Sequence, residues 1–335
     1  MKGRDLLILC AVLLVVGFAV ADSLRSDEAR VESRPAETGE AEPPATSTAP
    51  EANDDLGREF FDTVRGAPGS VVLAQAGSCA VREFDLPTGL ELPNVVQRST
   101  CELWAAPVTA KVAVGIGEPV GDAVPFRFVD LGRPNRDLGS SEAAFGFLVW
   151  SDDGQRAAWC TRRLQGIDLE LAGRRRELPD CPAAYTPDGQ VTFALGDRLV
   201  TESRELLRAT GGITHVHFGN DGSVAVVVEG RRIERYFEDR RAHTLDLPER
   251  LQGRLPKLSP DNCSAAFRAG DRIRIVDVGC SVYGGESFRG HVAAWAPDGA
   301  WLAVGEADQL TFVNLPTGDT VEWPIGAAEI VWRRS

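Results

Sequence analysis

From residue 67 onward, short runs of apolar residues alternate with clusters of turn-forming residues. The runs are too short for helices and are rich in small and β-branched side chains, as in VAVVVE (224–229). Other runs alternate apolar and charged positions, as in RIRIVDV (272–278), where Ile273 and Ile275 share one face. Pro, Asp, Asn and Gly separate the runs, and tight turns require these residues. The pattern predicts many short strands joined by turns.

A motif of an aromatic residue or Leu, followed by a Pro/Asp/Asn/Gly turn, recurs along this part of the chain. We use the third residue of each copy as its anchor, which gives Pro68, Pro107, Asp152, Pro187, Asn220, Pro260 and Pro297. Successive anchors are 39, 45, 35, 33, 40 and 37 residues apart. Structural roles in the repeat are assigned to Trp104, Trp150, Asp153, Tyr185, Asp188, Phe218, Asp221, Asp261, Trp295, Asp298 and Trp332.

Each period of about 38 residues has room for four short strands, which together make one blade of a β-propeller. Seven copies predict an all-β propeller of seven four-stranded blades, or of six if the copy around Trp104 is not a full blade. Trp332 lies 37 residues after Trp295, and the first copy begins near its second strand. We therefore expect a C-terminal strand to complete the N-terminal blade, because this removes an open sheet edge.

The segment WAPDGAWLA (295–303) is the strongest copy of the motif. It resembles the WxPDGxxLA repeat of TolB-like, WD-repeat-related bacterial β-propellers, and this resemblance covers about 80% of the chain. The chain departs from the pattern at Asn262, which replaces Gly, and at the copy around Pro107, which lacks the Asp-Gly pair. The resemblance implies an extracytoplasmic scaffold, often for protein partners, and is nearly silent about activity.

Residues 1–21 have the pattern of an export signal. Lys2 and Arg4 precede an uninterrupted apolar run from Leu6 to Val20, and small residues stand before Asp22. A cleaved signal peptide and an uncleaved single anchor both fit, since the run is short for a membrane-spanning helix. In either case we expect the rest of the chain to be extracytoplasmic, either secreted or tethered to the cytoplasmic membrane.

Residues 22–55 differ from the rest in composition. Ten acidic residues and three Arg give this stretch a charge of −7, and it is rich in Pro, Ala and Glu. It therefore predicts a disordered linker in front of a propeller domain at 56–335. The whole chain has a net charge of −13, which argues against nucleic-acid binding because that binding depends on Lys and Arg.

Seven cysteines are present, and Cys10 lies in the apolar segment. No CxxC motif occurs, so a zinc site is not indicated. In an exported domain, an even number of cysteines predicts disulfides, although buried free thiols are the alternative. Spacing favours pairs of neighbours among the six, which are Cys79, Cys101, Cys160, Cys181, Cys263 and Cys280.

Candidate chemistry is sparse. The repeated Asp residues could ligate calcium, but an Asp-Gly pair at each tight turn is better explained by backbone geometry. His215 and His217 lie two apart and share one face of a strand, so they are the only metal nominees; we expect a structural, hydrogen-bonded role instead. We predict no cofactor, since no catalytic or phosphate-binding motif occurs. Exposed faces are predicted for the Arg-rich segments at Arg174, Arg175, Arg176, Arg231, Arg232, Arg235, Arg240 and Arg241.

These observations favour a non-catalytic scaffold that binds a protein or glycan in the cell envelope. We expect a monomer that contacts the membrane only through its N-terminal segment. The alternative is a propeller hydrolase or lyase acting in the central channel. That alternative requires polar side chains to converge there, and the nominees are Glu102, His215, His217 and Glu329.

Overall fold

A computed structural model describes residues 64, 66–88, 90–96, 100–119, 121, 123–132, 137–144, 147–171, 173–247, 256–280 and 284–334. The predicted signal or anchor (1–21) and linker (22–55) lie outside the described residues. Within the described ranges, no helix has the length and apolar character needed to cross a membrane.

Seven antiparallel sheets, each of four strands, form the blades of a β-propeller. Blade 1 contains β1 (Ser70–Gln75), β2 (Val81–Asp85) and β3 (Leu90–Val96). Blade 2 contains β4 (Leu103–Ala105), β5 (Lys111–Gly115), β6 (Ala123–Asp130) and β7 (Asp137–Ala144). Blade 3 contains β8 (Leu148–Trp150), β9 (Arg156–Cys160), β10 (Gly166–Glu170) and β11 (Arg174–Leu178). Blade 4 contains β12 (Pro182–Tyr185), β13 (Val191–Leu195), β14 (Arg198–Thr201) and β15 (Glu205–Arg208).

The remaining blades follow the same order. Blade 5 contains β16 (Ile213–Phe218), β17 (Ser223–Val228), β18 (Arg232–Phe237) and β19 (Arg240–Asp246). Blade 6 contains β20 (Lys257–Leu258), β21 (Ser264–Ala269), β22 (Arg272–Asp277) and β23 (Ser287–Arg289). Blade 7 contains β24 (Val292–Trp295), β25 (Trp301–Gly305), β26 (Leu310–Asn314) and β27 (Thr320–Trp323). The prediction of seven blades is confirmed, and the copy around Trp104 forms a full blade.

The last strand, β28 (Ala327–Arg333), closes the ring. It pairs with β1, and Trp332 lies opposite Val71, so the order of strands in blade 1 is β28-β1-β2-β3. The C-terminal strand therefore supplies the inner strand of the N-terminal blade, as predicted. This arrangement pairs the inner edge of β1 and gives blade 1 the same four strands as the other blades.

Burial changes systematically across each blade. In β17, the second strand of blade 5, all six residues are buried, because both faces of this strand pack against neighbouring blades. In β11, the outer strand of blade 3, four of five residues are exposed and three of these are Arg. The Arg174–Arg176 segment is thus a solvated outer edge, as predicted.

Aromatic residues fill the wedges between blades. Phe126 of blade 2 packs edge-on against Trp159 of blade 3, with ring centroids 5.4 Å apart. The motif Trp also links blades through its indole N–H, which donates to a backbone oxygen of the preceding inner strand. Trp150 donates to Trp104 O (3.3 Å) and Trp295 donates to Lys257 O (2.8 Å).

The role assigned to Trp104 needs a correction. Ala105 pairs with Val112 in the same register in which Trp295 pairs with Leu302. Ala105 therefore occupies the aromatic position of the motif in blade 2, and Trp104 precedes it. Trp104 lies three positions before its anchor Pro107, whereas Trp295 lies two positions before Pro297, and this difference in spacing is visible in the sequence.

Candidate functional site

The inner strands of the seven blades surround a central channel and end on one face of the propeller. We call this face the turn face, because the motif turns lie on it. The other face carries the loops between the second and third strands of each blade, and we call it the hairpin face. The turn face has a cavity of about 600 Å³. One residue from each blade lines its mouth: Pro107, Asp152, Pro187, Asn220, Pro260, Pro297 and Arg334.

Six of these seven residues are anchors of the sequence repeat, so the repeat itself builds the mouth. Pro68, the anchor of the first copy, is the exception, because the inner strand of blade 1 comes from the C-terminus. Arg334 takes the position in blade 1, and its N–H donates to Pro107 O (2.8 Å). Pro68 instead accepts a hydrogen bond from the Trp332 indole (2.7 Å).

The lining of the cavity is mixed. Prolines and the edges of Phe218, Trp295 and Trp332 supply apolar surface. The polar side chains at the cavity are Asp152, Asn220, His215, His217, Lys257 and Arg334. They come from blades 3, 5 and 6 and from the end of the C-terminal strand, and they include both a carboxylate and two cations.

His217 is held in one tautomer by Asn262 of the next blade. Asn262 Nδ2 donates to Ser223 Oγ (3.0 Å) and Ser223 O (3.3 Å), so its Oδ1 faces His217 Nδ1 at 2.6 Å. A carbonyl oxygen only accepts, and Nδ1 is therefore the protonated nitrogen. Burial lowers the pKa of His217, which keeps the ring neutral. In a neutral ring of this tautomer, Nε2 is a hydrogen-bond acceptor.

Asn262 is the residue that replaces the motif Gly. It has a φ of 55°, a left-handed conformation that Asn tolerates better than most residues, and its side chain is fully buried. Gly219 lies against it: a Cβ there would come within 2.7 Å of Asn262 Nδ2. Asn262, in the place of the motif Gly, thus makes a contact with the neighbouring blade that the sequence pattern does not predict.

His215 lies deeper in the channel. Burial, followed by the charges of His217 and Lys257, lowers its pKa to about 3. Its ring meets the Phe147 ring edge-on, with centroids 6.5 Å apart, and its buried Nδ1 has no hydrogen-bond partner among the described residues. Both imidazoles are therefore neutral at physiological pH.

The four catalytic nominees do not converge. His215 and His217 line the main cavity, whereas Glu329 lies at a separate cavity of about 40 Å³ together with Lys257 and His291. Glu102 precedes β4 and does not line the main cavity. In the described part of the chain, no three His, Cys, Asp or Glu side chains are placed to hold one metal ion.

The motif aspartates are bound within their own turns. Asp153, Asp221, Asp261 and Asp298 each accept the N–H of the residue two positions later, at 2.9–3.0 Å. Asp188 accepts from the Thr186 hydroxyl and from Gln190 Nε2. The contacts of the first four are those of Asx turns, which agree with the backbone role predicted from the sequence, whereas those of Asp188 are with side chains of its own turn.

Arg235 was expected on a solvated face, and this expectation is wrong. Its side chain is only 8% exposed, since it lies between blades 5 and 6. Arg235 Nη2 donates to Asp221 Oδ2 (2.5 Å), and Nη1 lies 2.8 Å from Cys280 Sγ. The alternation of charged residues along β18 does not predict this burial, because Asp221, Asp261 and Cys280, which contact Arg235, lie in turns distant from it in sequence.

The three cysteine pairs favoured by spacing are brought together. Cα–Cα distances are 4.5 Å for Cys79–Cys101, 4.9 Å for Cys160–Cys181 and 5.2 Å for Cys263–Cys280, and the sulfur atoms are in bonding contact. The first two pairs lie on the hairpin face, where each joins a blade to the connection that follows it. The third lies on the turn face, within blade 6.

Comparison with known proteins adds no family. No family model matches the chain, and no curated protein matches it. Among solved structures, it is similar to the Cps50 (Swd1) β-propeller domain of Myceliophteria thermophila, with 11% identity and a TM-score of 0.44. That similarity covers 66% of this chain and 84% of the other. The assignment as a propeller rests on the seven sheets and their order.

Proposed function

We propose that this protein is an extracytoplasmic, non-catalytic binding module that receives a segment of a partner protein at the turn-face cavity. The observation that carries the proposal is the convergence of one residue from every blade, six turn residues and Arg334, on one cavity of about 600 Å³. Cavities of this size are typical of ligand sites.

The chemistry of the lining fits a polypeptide. Backbone N–H groups of a bound segment would find acceptors at His217 Nε2 and the Asp152 carboxylate. Its carbonyl groups would find donors at Lys257 and Arg334. The prolines and aromatic edges offer apolar surface for side chains, so the cavity matches the alternation of polar and apolar groups along a peptide.

The same lining supports a non-catalytic role. General acid–base catalysis needs a group whose pKa is near the working pH. Burial moves the pKa of both channel histidines downward, to about 3 for His215, which leaves them neutral and weakly basic. The glutamates that a hydrolase would need are not at the main cavity.

Three disulfide pairs support the extracytoplasmic part of the proposal. Disulfides persist in oxidising compartments and are rare in the cytosol. This setting agrees with the export signal predicted at residues 1–21. The resulting cross-links on both faces suit a rigid scaffold that presents a preformed site.

The test compares two variants that introduce the same side chain on opposite faces. Asn220→Arg places a long cation in the cavity mouth, and Leu164→Arg places it on the hairpin face, where Leu164 is 60% exposed. Immobilised oxidised protein would be exposed to envelope fractions, and retained proteins would be identified by mass spectrometry and their Kd measured. We expect Asn220→Arg to weaken binding of the retained protein at least tenfold and Leu164→Arg to leave it unchanged.

Other results would overturn the proposal. Loss of binding only in Leu164→Arg would move the site to the hairpin face. Retention of saccharides without any protein would make the ligand a glycan. Turnover of a retained molecule, abolished by His217→Phe, would favour the hydrolase or lyase alternative.

A further inference from the structure

The disulfide between Cys263 and Cys280 differs from the other two in what contacts its sulfur atoms. Arg235 Nη1 lies 2.8 Å from Cys280 Sγ. Among the described residues, no guanidinium or ammonium group contacts a sulfur of the other two pairs. At Cys160–Cys181, the backbone oxygen of Leu164 lies 3.6 Å from Cys181 Sγ.

Arg235 is fixed in this position from several sides. Its Nη2 donates to Asp221 Oδ2 (2.5 Å) and to Asp261 O (3.3 Å), and the guanidinium lies over the Phe237 ring, 4.8 Å from its centroid. With its side chain 8% exposed, it has little freedom to turn away. The positive charge therefore stays at Cys280.

The two sulfurs have unequal electrostatic surroundings. Asp261 Oδ1 accepts the N–H of Cys263 (3.0 Å), so a carboxylate lies beside that cysteine. Asp277 also lies near Cys280 and accepts its N–H (2.9 Å) and that of Gly279 (3.0 Å). Arg235 nevertheless contacts the Cys280 sulfur directly, whereas these carboxylates accept hydrogen bonds from the backbone N–H groups of the two cysteines. Negative charge is favoured at Cys280 over Cys263.

We propose that Cys263–Cys280 is a thiol-exchange site, attacked at Cys263, for an external dithiol. The thiolate of the reagent attacks Cys263 Sγ and forms a new S–S bond. The Cys263–Cys280 bond breaks, and its electron pair leaves on Cys280 as a thiolate paired with Arg235. A lower thiol pKa makes a better leaving group in this reaction.

The second thiol of the reagent then completes the reduction. It attacks the reagent's own sulfur in the mixed disulfide and releases Cys263, which takes a proton. The reagent is oxidised to a disulfide, and the protein gains two electrons. One monothiol molecule carries out only the first step, so the mixed disulfide that it leaves at Cys263 marks the site of attack until a second molecule displaces it.

The test uses the full chain carrying Cys10→Ser, so that six cysteines remain. The protein would be incubated with reduced glutathione, quenched with iodoacetamide and digested without reduction. Mass spectrometry then locates glutathione and free thiols over time for each of the three pairs. We expect Cys263–Cys280 to open first, with glutathione on Cys263 and the alkyl group on Cys280.

Variants separate the charge of Arg235 from its packing. We expect Arg235→Met to slow opening of this pair by about threefold or more, and Arg235→Lys to retain most of the rate. Arg156→Met is the matched control, because Arg156 also pairs with a buried carboxylate, Asp168, and joins two blades by donating to Gly189 O of blade 4 (2.7 Å). It should leave the opening rate of Cys263–Cys280 unchanged.

Three results would contradict the proposal. They are glutathione on Cys280 in the protein with Arg235 intact, equal opening rates for all three pairs, and an unchanged rate in Arg235→Met. Dithiothreitol, as a dithiol probe, should reduce the same pair first without leaving an adduct. None of these measurements depends on the proposed peptide site, so the two proposals fail independently.

Discussion

Asn262 connects a turn of the repeat to the channel. Its left-handed backbone fits the turn, while its buried side chain bonds His217 and Ser223 of the neighbouring blade. Asn262→Gly restores the motif and keeps the turn, but it leaves the His217 and Ser223 groups without these bonds. We expect a loss of about 1–3 kcal/mol in the free energy of unfolding, measured by urea denaturation.

The equivalent turn of blade 7 provides the control for this prediction. Gly299 also has a positive φ (71°), and a Cβ there would meet only Pro260 Cδ, at 3.7 Å. We expect Gly299→Asn to change stability by less than about 1 kcal/mol, since Asn tolerates this conformation. Equal losses in the two variants would show that the turn, and not the contact between blades, sets the effect.

The channel histidines predict a pH dependence of stability. Between pH 6.5 and about 3, the unfolded chain binds a proton at His215 that the folded chain does not. The free energy of unfolding must therefore fall as the pH is lowered through this window, by up to about 1.4 kcal/mol per pH unit. We expect His215→Phe, which keeps an aromatic contact with Phe147, to flatten the dependence between pH 7 and 5. Identical slopes in the two proteins would contradict the buried, neutral state.

Single contacts were the least predictable feature. The sequence identified Asn262 as a departure from the motif and His217 as a nominee, but not that they meet, because 45 residues separate them. Arg235 was placed on a solvated face for the same reason. Such contacts depend on how neighbouring blades pack, and a local pattern holds no information about that packing.

The closing strand β28 is held by a buried ion pair as well as by its hydrogen bonds. Arg333 pairs with Glu83 of β2 and also donates to Thr109 O of blade 2, and both side chains of the pair are at most 5% exposed. Glu83→Gln would leave the Arg333 charge buried without its counter-ion. We expect this to cost about 3–5 kcal/mol of stability, measured as a shift in the urea midpoint.

An exposed ion pair between β2 and β3 is the control. Arg82 and Glu91 are 25% and 37% exposed and lie 2.6 Å apart. Glu91→Gln should cost less than about 1 kcal/mol, because water screens such pairs. A comparable loss in both variants would mean that the Glu83–Arg333 pair does not hold the closing strand.

Whole elements were predicted better than contacts. The sequence predicted four strands in each blade, the role of the aspartates in the turns, and the closing strand that contains Trp332. These features were predictable because every blade must repeat the same pattern to bury its two faces. The register of β4 was the exception: the shift of one residue between Trp104 and Ala105 exchanges which side chain faces the neighbouring blade. The copy around Pro107 lacks the Asp-Gly pair, so the sequence does not mark the turn from which the register of β4 could be counted.

On the scale of the whole molecule, the disulfides on the hairpin face oppose separation of blades. Cys160–Cys181 joins the end of β9 in blade 3 to the connection that leads into blade 4, and it closes a loop of 21 residues. In the chain-entropy model, a loop of this size contributes about 3 kcal/mol. That is a large share of the 5–15 kcal/mol typical of a folded domain.

The double variant Cys160→Ala/Cys181→Ala tests this contribution. We expect it to fold, because the core between blades 3 and 4 around Ala158, Tyr185 and Phe193 is retained, but to lose about 3 kcal/mol in urea denaturation under oxidising conditions. Under reducing conditions, the difference between the variant and the original chain should disappear, since both then lack the cross-link. A difference that persisted after reduction would show that packing of the cysteine side chains, and not the loop closure, stabilises the junction between blades 3 and 4.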